Sequence, residues 1–439
     1  MEQLIAVLLG IVAGTVTGVI PGIGVLVAMV VCTPLLLSMD IISLLLFYMS
    51  LASMVQFTGT VPSVYLGVPG ETNSLPAVIE GTKHTKKGIA QLGIGVSAMG
   101  SVIGSLIAVL ITWLLLHYLS NHLAFFFSNN VKFFIYTAVI LFCLTVYNKG
   151  NFLVNSALCI IGFCLSLPGE SDIVPGFRFW FGIEDLKYGI PLMPLLIGFI
   201  VVPNLLKIQS IKDHKISRQL KISFLTVLQR FGNKITSVLR GSVIGYFCGL
   251  VPGVTTVLAT NASYSIEKKL HSNNSTRQLM SSETANNSGQ FSSMLPLLLI
   301  GIPITGSEVV LYSLLLDAGW SPFQFNNLTA NIDMIFQQIV PWFVFVNCVG
   351  LMVAWPLSKM ILKILRIKKA IIIIGLSLVV VGLNLYIGML DYRPLAYTLY
   401  LILFSICGIL IKRFEPVPLI FIFILGNELE GVFYRQFII

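Results

Sequence analysis

Long apolar runs separated by short polar segments dominate the chain. Outside the repeated motifs described below, such runs lie near residues 90–116, 131–147, 152–167, 188–206, 335–358, 371–390, 394–411 and 416–434. A helix that crosses a bilayer needs about 20 apolar residues. Together with the interrupted apolar segments, these runs predict an all-α polytopic membrane protein of about 10–12 spans and half-spans.

The composition excludes a soluble enzyme. Of the 439 residues, 56% are hydrophobic and only 10% are charged, whereas about 25% are charged in an average soluble domain. Disorder is excluded as well, because disordered chains combine low hydrophobicity with high net charge. The net charge of +9 comes from basic residues in short clusters between apolar runs. That pattern orients a membrane protein, so nucleic acid is not a predicted partner.

The sequence predicts no metal site and no cofactor. All seven cysteines lie inside apolar segments without metal-like spacing, and the five histidines are scattered. Cysteines in such positions are typical of buried small hydrophobic residues. The one small ion that the sequence indicates is a coupling ion, Na⁺ or H⁺.

An internal repeat links the two halves of the chain. A pattern of three evenly spaced glycines and a Pro-Gly pair occurs twice, and all five positions match at a separation of 231 residues. The two copies are Gly10, Gly14, Gly18, Pro21, Gly22 and Gly241, Gly245, Gly249, Pro252, Gly253. A second pattern follows each copy and matches at a separation of 234 residues: Gln56, Phe57, Pro62, Gly67, Pro69 and Gln290, Phe291, Pro296, Gly301, Pro303. Two motifs in the same order at nearly the same separation indicate a duplication.

The basic residues predict how the two copies are oriented. No Lys or Arg precedes Lys83, whereas basic residues flank the second glycine motif on both sides. By the positive-inside rule, the first hairpin opens from outside the cell and the second from the cytoplasm. The prediction is an inverted-topology repeat, as in many secondary transporters. Residues 1–206 would form the first half with four additional spans, 207–240 a cytoplasmic amphipathic linker, and 241–439 the second half with the C-terminal spans.

Four Pro-Gly or Gly-x-Pro breaks interrupt the repeated segments. Proline removes a helical hydrogen bond and glycine eases a turn, so each break ends or bends a helix. Unwound backbone at membrane depth is tolerated only inside protein or along a wet cavity, and we therefore expect all four breaks to meet between the repeats. The breaks, the polar residues after them and an Asn pair are the predicted substrate-binding residues: Pro21, Gly22, Gly24, Pro69, Gly70, Thr72, Asn73, Pro252, Gly253, Thr255, Thr256, Asn286, Asn287, Gly301, Pro303, Thr305 and Ser307.

These residue types suit an organic anion and a cation. Helix N-termini at the breaks offer free N–H groups and a positive dipole end to an anion, and no Arg or Lys lies within a break. Unwound carbonyl groups and hydroxyls are the hard oxygen ligands that Na⁺ prefers. Carboxylates inside membranes are costly and usually functional, which makes Glu71, Glu283 and Glu308 the candidates for cation coupling.

Each interpretation has a simpler alternative. The glycines at 10, 14, 241 and 245 favour close helix packing over binding, and packing alone is also an alternative for the Pro-Gly pairs. Asn286 and Asn287 could instead lie in a surface loop. Each of the three acidic residues could be an ordinary interfacial charge.

Several short motifs carry a family resemblance. They are Gly18–Gly24, Gly67–Thr72, Glu80-Gly81 with Lys87-Gly88, Ser263–Lys268, and Glu283–Asn287 followed by Pro296 and Gly301–Pro303. Together they resemble the large membrane subunit of the tripartite tricarboxylate transporters. The C-terminal third of the chain matches this family only as a series of spans.

The resemblance implies a function and partners. Members of this family take up carboxylates such as citrate, driven by a cation gradient. They work with a small membrane subunit and with a periplasmic binding protein that delivers the substrate. The chain would then be a multi-pass permease of the cell inner membrane, in contact with the lipid bilayer, and a symporter rather than an enzyme.

The leading hypothesis is a cation-coupled secondary transporter that imports di- or tricarboxylates by alternating access, one repeat rocking against the other. Membrane lipid phosphatases of the undecaprenyl-diphosphate type also use inverted repeats and re-entrant Pro-Gly segments. Their chemistry needs an Arg that neutralises phosphate charge, and none occurs within ten residues after Pro21-Gly22 or Pro252-Gly253. The third possible function is that of a channel or a membrane scaffold. Saturable, gradient-driven uptake would exclude it.

Overall fold

The computed structural model describes residues 2–437 with several gaps. Left out are residues 21, 22, 71, 120–133, 135, 136, 138, 139, 142, 146, 171–175, 208–219, 251–255, 302, 321–327, 357 and 362–368. Most described residues are helical, and two strands of two residues each form a small antiparallel pair. The predicted all-α class is therefore confirmed.

The described residues form 18 α-helices. Those of the first half are α1 (Glu2–Val19), α2 (Gly24–Leu36), α3 (Ile41–Leu66), α4 (Leu75–Lys86), α5 (Ala90–Leu119), α6 (Phe152–Ser166), α7 (Leu192–Leu196) and α8 (Val202–Lys207). Those of the second half are α9 (Phe224–Gly232), α10 (Ile235–Leu250), α11 (Thr256–Leu270), α12 (Ser275–Ile300), α13 (Gly306–Asp317), α14 (Leu328–Ala354), α15 (Ser358–Ile361), α16 (Lys369–Leu390), α17 (Pro394–Leu410) and α18 (Val417–Phe437). A π-helical turn (Ile197–Val201) joins α7 to α8, and the strands are β1 (Gly169–Glu170) and β2 (Phe177–Arg178).

Five helical segments of the described chain are long and apolar enough to cross a bilayer. They are Glu2–Val19, Ile41–Leu66, Ala90–Leu116, Phe336–Ala354 and Ile373–Leu390. Shorter apolar helices of 10–17 residues accompany them. Seven of the eight predicted apolar runs coincide with described helices, whereas the run near 131–147 lies mostly outside the described residues. A multi-pass membrane protein is confirmed.

The helices form two compact units. The first consists of Met1–Met29, Leu35–Ser120 and Ile208–Ile372, and the second of Val30–Pro34, Asn121–Lys207 and Ile373–Ile439. Both motifs of the repeat lie in the first unit. The predicted division of the chain into two repeat halves, joined by residues 207–240, concerns the duplication. Because the compact units are defined by packing, that division stays a prediction.

Two helix pairs of the first unit pack in the same way. α1 packs against α3, and α10 packs against α12, with glycines at the points of contact. A Cβ at Gly14 would lie 2.6 Å from the Leu51 carbonyl oxygen, and one at Gly245 would lie 2.3 Å from the Ala285 carbonyl oxygen. Ala285 follows Leu51 by the 234 residues that separate the second motifs. The packing interpretation of these glycines is confirmed, because no larger residue fits at such distances.

The two long helices of the first unit also end alike. α3 ends at Gly67 (φ 67°, ψ 27°) and α12 at Gly301 (φ 67°, ψ 25°). Each helix contains a proline five residues before its final glycine, and the carbonyl oxygens of Pro62 and Pro296 accept the N–H of that glycine. Only glycine adopts the left-handed conformation without steric cost, so the predicted breaks at these two glycines are confirmed.

Close helix contacts and charge pairs hold the second unit together. A Cβ at Gly162 of α6 would lie 2.1 Å from the carbonyl oxygen of Leu419 in α18. Arg178 at the end of β2 forms an ion pair with Glu430 of α18. The small β-hairpin is therefore tied to the helix pair α6–α18.

Candidate functional site

α12 is a long helix that is both polar and buried. It contacts α3, α4, α5, α10 and α11, so its surface is covered on most sides. Its buried polar residues are Gln278, Ser281, Ser282, Glu283, Thr284, Asn286, Asn287, Ser288, Ser292 and Ser293. Buried polar groups are costly unless they are paired, and in membrane proteins they mark functional sites. Because Asn286 and Asn287 lie in the middle of this helix, the surface-loop alternative for them is wrong.

Polar residues next to two of the predicted breaks meet at α12. Asn73 lies on a 3₁₀ turn (Thr72–Ser74) between the end of α3 and the start of α4, and Thr256 begins α11. The Asn73 side chain donates to Asn286 Oδ1 at 2.9 Å and to Thr256 Oγ1 at 3.4 Å. All three residues are buried. The first repeat therefore contributes Asn73, and the second repeat contributes Asn286 and Thr256, to one polar cluster.

The break between α3 and α4 also packs against the first glycine motif. A Cβ at Gly70 would lie 2.8 Å from the Gly59 Cα atom and 2.9 Å from the Gly18 carbonyl oxygen. Gly70 is buried, whereas Pro69 is exposed. The absence of a side chain at Gly70 is thus required for packing, and its predicted contact with substrate stays a prediction.

Asn287 and Glu283 connect α12 to two other helices. Asn287 Nδ2 donates to Ser101 Oγ of α5 at 2.8 Å and to the Glu283 carbonyl oxygen at 3.0 Å. The Glu283 carboxylate accepts a hydrogen bond from Thr60 Oγ1 of α3 at 2.8 Å and is only 2% exposed. An ordinary interfacial charge is not buried in this way. Glu283 therefore lies between the two repeats, where the coupling prediction requires a carboxylate.

Glu308 caps the N-terminus of α13. Its carboxylate accepts hydrogen bonds from Ser293 Oγ at 2.6 Å and from the backbone N–H groups of Ile304 and Thr305 at 2.7 and 3.0 Å. Thr305 Oγ1 in turn accepts the N–H of Glu308, which completes a capping box. The acid at the helix N-terminus also suits the helix dipole. Capping explains this buried acid without a cation, and its coupling role stays a prediction.

A small pocket opens between α3 and α12. Both polar and apolar residues line it: Tyr48, Met49, Ala52, Ser53, Gln56, Asn287, Gln290, Phe291, Met294 and Phe343. Among these residues there is no Lys, Arg or His. Of the predicted site residues, the pocket includes Asn287.

A chain of hydrogen bonds joins polar residues of this pocket. Gln56 Nε2 donates to Gln290 Oε1 at 3.4 Å, and Gln290 Nε2 donates to the Tyr48 hydroxyl at 3.1 Å. The Tyr48 hydroxyl is 3.2 Å from Ser307 Oγ, which is 3.0 Å from Thr305 Oγ1. The break that follows α12 therefore reaches the pocket through Ser307 and Tyr48.

Two buried acidic residues were not predicted as site residues. Glu80 accepts hydrogen bonds from Lys83 at 2.7 Å and from the Tyr264 hydroxyl at 2.9 Å. Glu267 is paired with Arg240 at 2.8 Å and accepts a hydrogen bond from Ser237 at 2.8 Å. Both acids lie in motifs that carry the family resemblance. Both acids are paired with basic residues and hydroxyls. These motifs therefore have a structural role near the ends of α4 and α11, where basic residues cluster.

Several predicted residues cannot be placed. Pro21, Gly22, Glu71, Pro252, Gly253 and Thr255 lie outside the described residues, as does the side chain of Thr72. Gly24 begins α2 with a φ of 58°, and Pro303 is buried after the end of α12. Among the residues that can be placed, no group of three or more His, Cys, Asp and Glu lies close enough to hold a metal ion.

Tyr48, Ser53, Gln56 and Gln290 were missed as site residues. Gln56 and Gln290 had a signal in the sequence, because they are the polar members of the second repeated motif. The recurrence of these two glutamines indicated only the duplication. Tyr48 and Ser53 lie in an apolar stretch without a motif, and only the packing of α3 against α12 reveals them.

The comparisons with known proteins agree with the family resemblance of the sequence motifs. Residues 4–422 match the model of the tripartite tricarboxylate transporter TctA family. A protein of Agrobacterium vitis, described as an uncharacterised 52.8 kDa protein in the TAR-I ttuC' 3' region, is 24% identical over 98% of this chain and 86% of its own length. An uncharacterised protein of Methanocaldococcus jannaschii is 24% identical over 70% of this chain and 71% of its own length. No solved structure shows a significant match.

Proposed function

Because the chain belongs to the TctA family of tripartite tricarboxylate transporters, we propose that it is a cation-coupled permease that imports small organic anions. The carried compounds are di- or tricarboxylates such as citrate. The observation that supports this proposal best is the buried cluster of Asn73, Asn286 and Thr256, in which polar residues of both repeats meet beside two helix breaks.

The substrate is held by uncharged donors and helix ends. Amide and hydroxyl groups at this cluster supply hydrogen bonds, and the N-terminus of α11 adds free N–H groups and a positive dipole end. A substrate bound without a basic clamp is released more readily to the other side, which a carrier requires. Lipid phosphatase chemistry needs an Arg beside the reacting phosphate, so a transporter fits these residues better than an enzyme.

Glu283 is the coupling residue that the contacts favour. It accepts a hydrogen bond from Thr60 of the first repeat and lies one residue before Thr284 and three before Asn286 on the same helix. A cation bound at its carboxylate would neutralise the charge that burial makes costly. Binding of Na⁺ or H⁺ at Glu283 would therefore favour binding of the anion beside it.

Alternating access would come from one repeat moving against the other around the cluster. The orientation of the two copies follows from their basic flanks, with the first hairpin opening outside and the second in the cytoplasm. In this scheme the permease lies in the cell inner membrane. A small membrane subunit and a periplasmic binding protein complete the system, and the binding protein delivers the anion.

Uptake by reconstituted liposomes tests the proposal. Radiolabelled di- and tricarboxylates are supplied with and without a Na⁺ gradient or a pH gradient, and with and without the binding protein. Saturable uptake that depends on a gradient is expected. Asn73→Ala should raise the apparent substrate constant about tenfold, since one hydrogen bond to a buried polar group contributes about 1–3 kcal/mol. A matched control is Asn384→Ala in α16, a buried amide that donates to the Tyr397 carbonyl oxygen.

Two results would refute the proposal. Flux that is neither saturable nor dependent on a gradient would indicate a channel. Release of phosphate from a lipid diphosphate by the purified protein would indicate an enzyme. Equal apparent substrate constants in the Asn73 and Asn384 variants would be compatible with transport but would exclude this cluster from the substrate-binding site.

A further inference from the structure

Three basic side chains lie close together where α9 turns into α10. Arg230 lies in the last turn of α9, Lys234 follows that helix, and Arg277 lies in the first turn of α12. Lys234 Nζ donates to the Arg230 carbonyl oxygen at 3.0 Å, and the Arg277 guanidinium donates to the Asn233 carbonyl oxygen at 3.0 Å. Partial burial, and then the positive charges of Arg230 and Arg277, hold the pKa of Lys234 below its ordinary value. The fold therefore holds three like charges in a repulsive arrangement that a bound anion would relieve.

No acidic side chain of the described chain neutralises this cluster. Among the described residues, no Asp or Glu lies within ion-pair distance of any of its three members. The nearby Arg240 differs, because it is paired with the buried Glu267 at 2.8 Å. Arg277 donates to the hydroxyls of Thr236 and Ser237, which are neutral. The cluster thus has the charge and the hydrogen-bond donors that an anionic ligand requires.

The cluster lies at the surface of the bilayer. α9 packs across the ends of two spans, since a Cβ at Gly95 of α5 would lie 3.0 Å from Val227 Cγ2 of α9 and 3.0 Å from Trp355 Nε1. The first of these spans is Ala90–Leu116 and the second is Phe336–Ala354, so the contact joins the start of one to the end of the other. By the positive-inside rule, this surface is the cytoplasmic one.

Exposed apolar side chains accompany the basic cluster. On α9, Val227 and Phe231 are buried, whereas Leu225 and Leu228 are exposed. On α10, an exposed apolar residue recurs at every fourth position, beginning directly after Lys234: Ile235, Leu239, Val243 and Phe247. Residues with this spacing share one face of a helix. A helix with outward-facing apolar residues and neighbouring basic residues at the end of a span is typical of contact with lipid.

From these observations we propose that Arg230, Lys234 and Arg277 bind the phosphate group of an anionic phospholipid in the cytoplasmic leaflet. The acyl chains of this lipid lie along the exposed apolar row of α10. Guanidinium groups match the geometry of phosphate oxygens, and the Lys234 ammonium adds a point charge. Only a ligand that is anionic at one end and apolar along its length uses both features. The bound lipid stabilises the turn between α9 and α10 against α12, whichever compound the protein transports.

Lipid titration of the purified full-length protein tests this site. Dioleoyl phosphatidylglycerol, dioleoyl phosphatidylcholine and inorganic phosphate are each added to the protein in detergent. Binding is measured by native mass spectrometry and by the midpoint of thermal unfolding. The wild-type protein should prefer phosphatidylglycerol over phosphatidylcholine about 100-fold, the factor that corresponds to three basic side chains near an anionic lipid. Inorganic phosphate at the same concentration should leave the midpoint unchanged, because it gains nothing from the apolar row.

Three variants separate a specific site from general attraction. Arg230→Gln/Lys234→Gln should lower the preference to about fivefold, the factor for one remaining basic side chain. Lys269→Gln is the matched control and should keep the wild-type preference, since Lys269 is an exposed basic residue in the last turn of α11, a helix that contributes nothing to the cluster. Arg230→Gln alone, at an exposed position, should lower the preference to about 30-fold. This single variant provides the test should the double variant fail to fold.

Several results would overturn the inference. Equal binding of the two lipids by the wild-type protein, or an unchanged preference in the folded Arg230 variants, would exclude a lipid site at this cluster. An equal loss in Lys269→Gln would show that net charge alone attracts the lipid. Stabilisation by inorganic phosphate as strong as that by phosphatidylglycerol would indicate a site for a free anion. None of these results depends on the transport assay, so the proposed function is tested separately.

Discussion

Replacing Gly245 by alanine would place a methyl group against the backbone of α12. The new Cβ would lie 2.3 Å from the Ala285 carbonyl oxygen and 2.6 Å from the Ala285 Cα atom. Neither atom belongs to a flexible side chain that can turn away. To reach an ordinary contact distance of about 3.5 Å, α10 and α12 must therefore separate by about 1 Å at this point.

The size of the effect follows from two opposing contributions. Overpacking costs about 1–3 kcal/mol, and the upper end applies here because both contacts are with backbone. Alanine is favoured over glycine in a helix by about 1 kcal/mol. The net expectation is a loss of about 2 kcal/mol in the free energy of unfolding.

Thermal unfolding of the purified protein in detergent measures this loss. The fraction that stays folded after heating is determined by size-exclusion chromatography. Gly375→Ala is the matched control, because a Cβ there meets nothing within 4 Å, and this variant should be as stable as the wild type or more stable. Gly14→Ala, at the counterpart contact of the first repeat, should lower the midpoint as Gly245→Ala does. Equal midpoints for the Gly245 and Gly375 variants would refute the close packing of α10 on α12.

Three further substitutions test the polar core. Asn287→Ala should raise the apparent substrate constant in liposome uptake about tenfold, and an unchanged constant would remove this amide from the site. Glu283→Gln should alter the dependence of uptake on Na⁺ or on pH, and an unchanged response to both ions would exclude it as the coupling group. Tyr264→Phe removes a donor from the buried Glu80 carboxylate and should lower the free energy of unfolding by about 1–3 kcal/mol. An unaltered unfolding midpoint for this variant would show that the remaining partners of Glu80 suffice.

Local features of the amino-acid sequence were sufficient to predict the membrane class, most of the helices and the family. These follow from local properties: a run of apolar residues long enough for a bilayer, and Gly-x-Pro pairs that end a helix. The ends of α3 and α12 at Gly67 and Gly301 were predicted for this reason. The repeated glycines at 14 and 245 were also interpretable, since their spacing alone indicates a close helix contact.

Which polar residues face one another depends on the packing of the helices and could not be predicted. Asn73 and Asn286 are 213 residues apart along the chain, and Gln56 and Gln290 are 234 apart. Whether a polar residue in a helix points to a neighbouring helix, to a pocket or to lipid depends on how that helix is rotated and packed. Local sequence carries little information about that rotation in α12, whose polar residues are not confined to one face.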